Sequence, residues 1–219
     1  VLRAITATNQ RVDNLVDLQP VIADNREVGV DYDDGRWLAH AAFYWSDSDL
    51  GARLAFDSAT QTYNVVRERT EIRGFDGSLS YRFTETQRAG VSYARSEGEY
   101  DSNGDEVVDS DLPGINISPD RVTAFWDAQV SPRLTLHLQA SHAFDRDFAR
   151  LGTPVASFEG YTTVDALARI ALPVGTLNVG VENLLGEQYV TYYSQTTPRN
   201  DTYTAGRGRV LTLGWSQRF

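Results

Sequence analysis

The stretch "RGFDGSLSYRF", Arg73 to Phe83, alternates from end to end. Phe75, Leu79, Tyr81 and Phe83 fall on one side of an extended chain, and Asp76, Ser78, Ser80 and Arg82 fall on the other. Successive side chains of a strand point to opposite faces, so the pattern predicts a strand with one apolar and one polar face. The same period recurs along the chain. "RWLAHAAFYW" sets Trp37, Ala39, Ala41, Phe43 and Trp45 against His40, Ala42 and Tyr44. "DRVTAFWDAQV" sets Val122, Ala124, Trp126, Ala128 and Val130 against Thr123, Phe125, Asp127 and Gln129. Leu134, Leu136, Leu138 and Ala140 oppose Thr135, His137, Gln139 and Ser141, and Leu177, Val179 and Val181 oppose Asn178, Gly180 and Glu182. "RVLTLGWSQRF" places Leu211, Leu213, Trp215 and Phe219 together. Nine strands are expected, at 25–34, 36–48, 63–84, 87–100, 119–130, 133–146, 159–172, 175–190 and 205–219.

The connections decide the class. "DDGR", "TETQ", "SPR" and "PVGT" are tight turns rich in Asp, Gly, Pro and Thr. Long polar loops are expected near 49–62, 101–118, 147–158 and 191–204. Short and long connections alternate, so all short turns lie at one end of the sheet and all long loops at the other. That rhythm belongs to transmembrane β-barrels of the outer-membrane type. Several strands exceed the five or six residues usual in soluble sheets, whereas a tilted membrane strand needs about 9–11. Trp37, Phe83, Trp126, Trp215 and Phe219 share the apolar face, several near strand ends, as an interfacial girdle requires. A soluble β-sandwich binding module would show the same alternation; strand length, loop rhythm and aromatic placement favour the all-β, antiparallel membrane barrel.

Composition narrows the function. Lys and Arg number 20 against 30 Asp and Glu, a formal net charge of −10, which argues against nucleic acid as a partner. Cysteine is absent, which removes disulfides, thiolate metal sites and a thiol nucleophile. No apolar run is long enough for a membrane helix. The opening "VLRAITATNQ" lacks a basic and then apolar leader, so the chain reads as mature or as a piece of something larger.

The chain resembles the TonB-dependent outer-membrane receptors. "VENLLGEQYVTYY", Val181 to Tyr193, is similar to that family's penultimate strand, and "AGRGRVLTLGWSQRF", Ala205 to Phe219, to its final one. "LQPVIADNREVGVDY", Leu18 to Tyr32, and "RTEIRGFDGSLSYRF" resemble earlier segments of the barrel, with Gln19, Val21 and Gln217 departing from the pattern. The resemblance implies a barrel of about 22 strands filled by an N-terminal plug. Residues 1–219 would then be the C-terminal part of the wall, with 1–24 mostly extracellular loop and the plug and earlier strands lying outside this chain. It also implies a Gram-negative outer membrane, contact with its lipid and lipopolysaccharide, and TonB engaged through the plug. Phe219 would be the signal read by the barrel assembly machinery. The implied function is energised import of a ferric siderophore; vitamin B12, haem or an oligosaccharide are alternative cargoes, because fold alone does not choose among them.

Two loops carry the chemistry. "DSNGDEVVDSD" places Asp101, Asn103, Asp105 and Asp109 near the spacing of a calcium loop, but Glu106 stands at the glycine position and Leu112 at the last ligand position. It is either a solvated acidic loop or a weak calcium site. "YVTYYSQTTPRNDTYTAGRGR", Tyr189 to Arg209, holds Tyr192, Tyr193, Arg199, Tyr203 and Arg207. Arginine grips carboxylate or chelate oxygens and tyrosine adds amphipathic surface, so these residues are candidate ligand contacts. Alternatively the tyrosines pack as an upper girdle and the arginines pair with loop aspartates or lipid phosphate. Ser141 and His142 are neighbours in sequence on opposite faces of a strand, so they do not form a nucleophile–base pair, and no catalytic residue is expected. A barrel enzyme is the remaining rival reading.

Overall fold

The computed structural model describes residues 20–57, 59–60, 62–196 and 203–217. The expected loop over 1–24 lies largely outside this range, and Arg199 and Phe219 lie outside it altogether. In chain order the elements are β1 (Asp24–Asp33), β2 (Trp37–Asp57), β3 (Thr62–Thr84), β4 (Gln87–Tyr100), β5 (Ser110–Asp111), β6 (Arg121–Ser131), β7 (Leu134–Ala143), β8 (Arg146–Arg150), β9 (Thr153–Phe158), β10 (Tyr161–Ala171), β11 (Thr176–Glu182), α1 (Tyr192–Thr196) and β12 (Val210–Ser216). Nine strands form one antiparallel path, β1-β2-β3-β4-β6-β7-β10-β11-β12. Each expected strand lies on that path. The sheet is open within these residues: β1 pairs only with β2, and β12 only with β11.

Register carries the sequence pattern across the sheet. Val30 pairs with Ala41, Ala41 with Gly77, Gly77 with Tyr93 and Tyr93 with Val122. Farther along, Trp126 pairs with Leu138, Leu138 with Ala166, Ala166 with Val181 and Val181 with Leu211. Apolar therefore meets apolar on nearly every strand. Val28, Phe43, Leu213 and Trp215 on this face are 60%, 50%, 66% and 53% exposed. A contiguous apolar face of that extent needs a non-aqueous neighbour, which in this architecture is lipid.

The opposite face is polar and bonded to itself. His40 Nδ1 lies 2.7 Å from Asp31 and its Nε2 3.1 Å from Asp76, so one imidazole ties three strands together. Asp127 accepts from Arg88 at 2.7 Å and lies 2.6 Å from His137. Thr123 and Ser141 hydroxyls are 3.1 Å apart. These groups line the lumenal side of the wall.

Toward the long-loop end the apolar face stops at two charged rows. Arg26, Trp45, Arg73 and Glu97 pair successively across β1 to β4, and Asp24, Asp47, Glu71, Glu99 and Asp111 form the next row. Charge of this density marks the end of the hydrocarbon. β2 and β3 continue well beyond it. Their 21 and 23 residues, at about 3.3 Å each, span roughly 70 Å, more than twice the ~30 Å of hydrocarbon. The expected loop at 49–62 is thus mostly hairpin. Its strands stand in water, where both faces can be polar, so the period-2 signal fades while the backbone ladder persists.

The other stretches expected as long polar loops also contain regular elements. β8 and β9 form a hairpin over 146–158, β5 lies within 101–118 and α1 within 191–204. β11 stops at Glu182 and β12 begins at Val210, so both are shorter than expected. These additions build a core. Tyr100, Leu112, Ile117, Ala143, Phe148 and Phe158 form its buried centre, flanked by Ile72, Ala156, Tyr161 and Tyr192. Leu112 packs against Gly98, which shares the polar-face register with Ile72 and Tyr100, so the loops fold inward over the upper lumen. Fully burying a phenylalanine such as Phe158 contributes about 1.5–3 kcal/mol. Arg53 pairs with Glu68 beside this core and lies 4.0 Å from the Tyr100 ring centroid.

The register predicts a two-sided response to charge. Leu136→Arg or Leu213→Arg is expected to cost about 2–4 kcal/mol in a bilayer unfolding titration if the site is near the midplane, and Thr135→Arg on the lumenal face far less. Equal costs on both faces would refute the assignment.

Candidate functional site: the loops over the lumen

The acidic loop is held by its own backbone. Asp101 accepts hydrogen bonds from the amides of Asn103 at 3.0 Å, Gly104 at 2.7 Å and Glu106 at 2.8 Å. Asn103 Oδ1 accepts from the Asp105 amide, Asp105 from Val107, and Asp109 from Ser102 and the Ser110 hydroxyl. Glu106, at the position where a calcium loop has glycine, adopts φ 68°. The four side chains named as possible ligands are therefore turned to main-chain donors. Among the described residues, no three His, Asp or Glu side chains are grouped to hold a metal ion.

The Tyr/Arg loop divides into an anchored part and an exposed part. Tyr192 points into the loop core and its hydroxyl donates to the Ile117 carbonyl at 2.7 Å. Burial pushes its pKa up to about 12. Its ring meets Phe158 edge-on at 4.8 Å. Gln195 donates to the carbonyls of Val190 and Glu159 and accepts from the Glu159 amide, and the Thr204 amide donates to Ser194. Tyr192 thus supports the surface from within. Tyr193 and Tyr203 are 56% and 69% exposed, and Arg207 reaches Glu182 at 3.5 Å from an open position.

Between β10 and the chain on either side of α1 lies a cavity of about 900 Å³. Tyr161, Tyr189, Tyr203, Arg209, Glu159 and Glu187 contribute to its lining. Tyr161 and Tyr189 stack with ring centroids 4.0 Å apart. Tyr161 belongs to the polar-face register through Ala143 and Arg121, so the cavity lies on the lumenal side. Of the predicted contacts, the structure brings Tyr203 to this cavity; Tyr193 and Arg207 do not line it. Tyr161 and Tyr189 were not singled out in the sequence. Tyr189 stands within the Tyr/Arg stretch, but Tyr161 gives no local signal, being a strand residue that only register delivers. Rings, one guanidinium and carboxylates can hold a polar ligand by stacking and charge-assisted hydrogen bonds. Ser141 bonds toward Thr123 and His142 toward Thr162, on opposite faces as expected.

Asp101 gives the acidic loop a pH dependence. Desolvation opposes its charge, but the amides of Gly104, Asn103 and Glu106 together hold its carboxyl below the usual range. A depressed folded pKa stabilises the loop above the ordinary carboxylate value of about 3.9, and that contribution is lost as pH falls through the lower folded value. Hydrogen-exchange protection of the Gly104 and Glu106 amides is expected to be flat near neutrality and to collapse only in that acid window. Asp101→Asn should reduce it at neutral pH.

The family model described as TonB dependent receptor-like, beta-barrel, matches residues 4–184. The ferric aerobactin receptor of Escherichia coli is 30% identical over 212 residues, covering 92% of this chain and 28% of that protein. The chain therefore spans a little over a quarter of the relative's length. Among solved structures, the copper transporter OprC superposes with a TM-score of 0.71 at 15% identity, over 90% of this chain and 32% of that one. The FrpB iron transporter from Neisseria meningitidis (F5-1 variant) gives 0.69 at 16%, over 90% and 31%. At these identities the structural likeness speaks for the fold. The alternating strands, the lipid-facing register and the family match over most of its length agree: this chain belongs to the TonB dependent receptor-like β-barrel family.

Proposed function

We propose that this chain forms the C-terminal part of the wall of a Gram-negative outer-membrane receptor that imports a ferric siderophore with energy delivered by TonB. The observation that carries the reading is the 30% identity to a ferric aerobactin receptor across 92% of the chain. The geometry is compatible with it. Loops folded inward over the lumen bring tyrosine and arginine to one cavity, and guanidinium and phenol groups suit the oxygen-rich shell of an iron chelate. The protein would perform no covalent chemistry; it would capture cargo outside and release it inward when a plug moves. Cargo identity rests on sequence kinship, since the fold neighbours include copper as well as iron transporters and architecture does not choose among cargoes.

Tyr193, Arg199, Tyr203 and Arg207 are the proposed contacts of the loop, and Tyr192 anchors α1 to the loop core. The acidic loop has the wrong sign to attract an anionic chelate. A strain deleted for the receptor is expected to lose growth on at least one purified ferric siderophore under iron limitation, with ferric aerobactin the first to try. The Tyr203→Ala, Arg207→Ala double variant should lower uptake while leaving a heat-modifiable barrel in the outer membrane. Growth unaffected by deletion on every siderophore of the panel, together with no induction by iron starvation, would overturn the reading.

A further inference from the structure

The segment after β11 is fastened to its neighbours largely by one side chain. Asn183 and Gly186 both have left-handed backbone, with φ 50° and 71°. The Gly186 amide donates to the Asn183 carbonyl at 2.9 Å, closing a four-residue turn that interrupts the strand, while the Leu184 amide stays bonded to the Val164 carbonyl at 2.6 Å. Leu185, within the turn, is 67% exposed. Asn183 is 3% exposed. Its Oδ1 accepts from the Glu187 amide at 2.9 Å, and its Nδ2 donates to the carbonyls of Glu187 and Arg207, both at 2.9 Å. Its own amide donates to Asp165 at 2.8 Å. One side chain thus holds both backbone groups of Glu187 and crosses to the chain that leads into β12.

The tie lies next to the cavity. Just beyond it, the Gly206 amide donates to the Tyr189 carbonyl at 2.7 Å. The Tyr189 ring lies close to the backbone of Gly206, where a Cβ would come within 2.1 Å of ring carbons, and stacks on Tyr161. At Gly186 a Cβ would sit 3.3 Å from the Arg209 guanidinium. The turn therefore lies beside the Arg209 guanidinium and three residues before Tyr189.

We propose that the cavity is a ligand subsite on the lumenal face and that Asn183 is its positioning residue, aiming Tyr189 and Arg209 at a chelate that presents a flat or apolar face and anionic oxygens. This rests on the transport reading above. The residue type follows from the geometry. Asparagine tolerates the left-handed backbone and offers an acceptor and a two-proton donor on one short stem. Aspartate keeps the shape and the acceptor but turns an oxygen toward two carbonyls. Glutamine keeps the groups on a longer stem, and alanine leaves buried backbone groups unpaired.

The test uses the full-length receptor in detergent and follows quenching of intrinsic fluorescence, with the ferric siderophore that rescues growth as the probe. Asn183→Asp is expected to assemble a heat-modifiable barrel and to raise Kd about tenfold or more. Tyr189→Ala should do the same. Their combination should be no weaker than the weaker-binding single variant, because residues acting through one another are not additive. Multiplying effects would make Asn183 merely structural and overturn its role, as would wild-type affinity in Asn183→Asp. Should Asn183→Asp fail to assemble, Gly206→Ala displaces the same ring and leaves Asn183 intact. Wild-type affinity in an assembled Gly206→Ala receptor overturns the subsite. A wild-type receptor that binds no ferric siderophore counts against the transport reading instead, so the two failures are distinct.

Discussion

Inside hydrocarbon an unpaired amide or carbonyl costs several kcal/mol, and there is no water to take its place. Every backbone group of a spanning strand must therefore find a neighbouring strand, and the rest of this structure follows from that ladder. A slip of one residue in any pair would keep the hydrogen bonds but send the whole apolar set of that strand into the lumen. The observed register prevents this across all nine strands, from Val30 on β1 to Leu211 on β12. The irregularities fall where the constraint is relaxed. Register shifts occur at Ser48/Gly51 above the charged rows, and at Arg82/Thr84 and Gln129/Ser131 beside the short turns. The ladder is unbroken through the apolar band.

Beyond the hydrocarbon the same strands obey different rules. Water satisfies backbone and side chains alike, so stability must come from burial, and the loops supply it by turning inward. Phe148, Phe158 and Leu112 are nearly inaccessible, while most large apolar residues of the spanning strands remain open to lipid. The dry core of this chain is thus at its long-loop end. α1 is fastened to it by Tyr192 and Gln195, and this links the Tyr/Arg segment mechanically to the loops around Ile117 and Glu159. A ligand touching the exposed part of that segment would act on a surface backed by packed side chains.

The motifs that looked most chemical also have a part in holding the backbone. The acidic loop uses Asp101 and Asp105 to accept main-chain amides, a role that short polar side chains share with metal ligation and that spacing alone does not separate from it. Asn183 sits in a motif recognised by likeness, and its physical sense is visible only once Glu187 and Arg207 are seen at either end of its amide. Tyr192 and Tyr193 are adjacent in sequence, yet one is half-buried against the loop core while the other is largely exposed. No property of either residue distinguishes them; the turn of a five-residue helix does.

The amino-acid sequence by itself determined the parts of this protein governed by local period: the strands from Arg73 to Phe83 and their counterparts, the apolar and polar faces, the short turns, and the resemblance carried by "VENLLGEQYVTYY". These are legible because a membrane strand meets one solvent on each side, and alternation of side chains writes that directly into the chain. Tertiary structure alone decided what happens above the membrane. There both faces of β2 and β3 meet water or other loops, so alternation lapses and the strands run on unseen. The cavity likewise joins Tyr161 of β10 to Tyr189 and Arg209, which lie in the long connection between β11 and β12. Contacts between residues so far apart depend on register, turn geometry and burial, none of which a local pattern encodes.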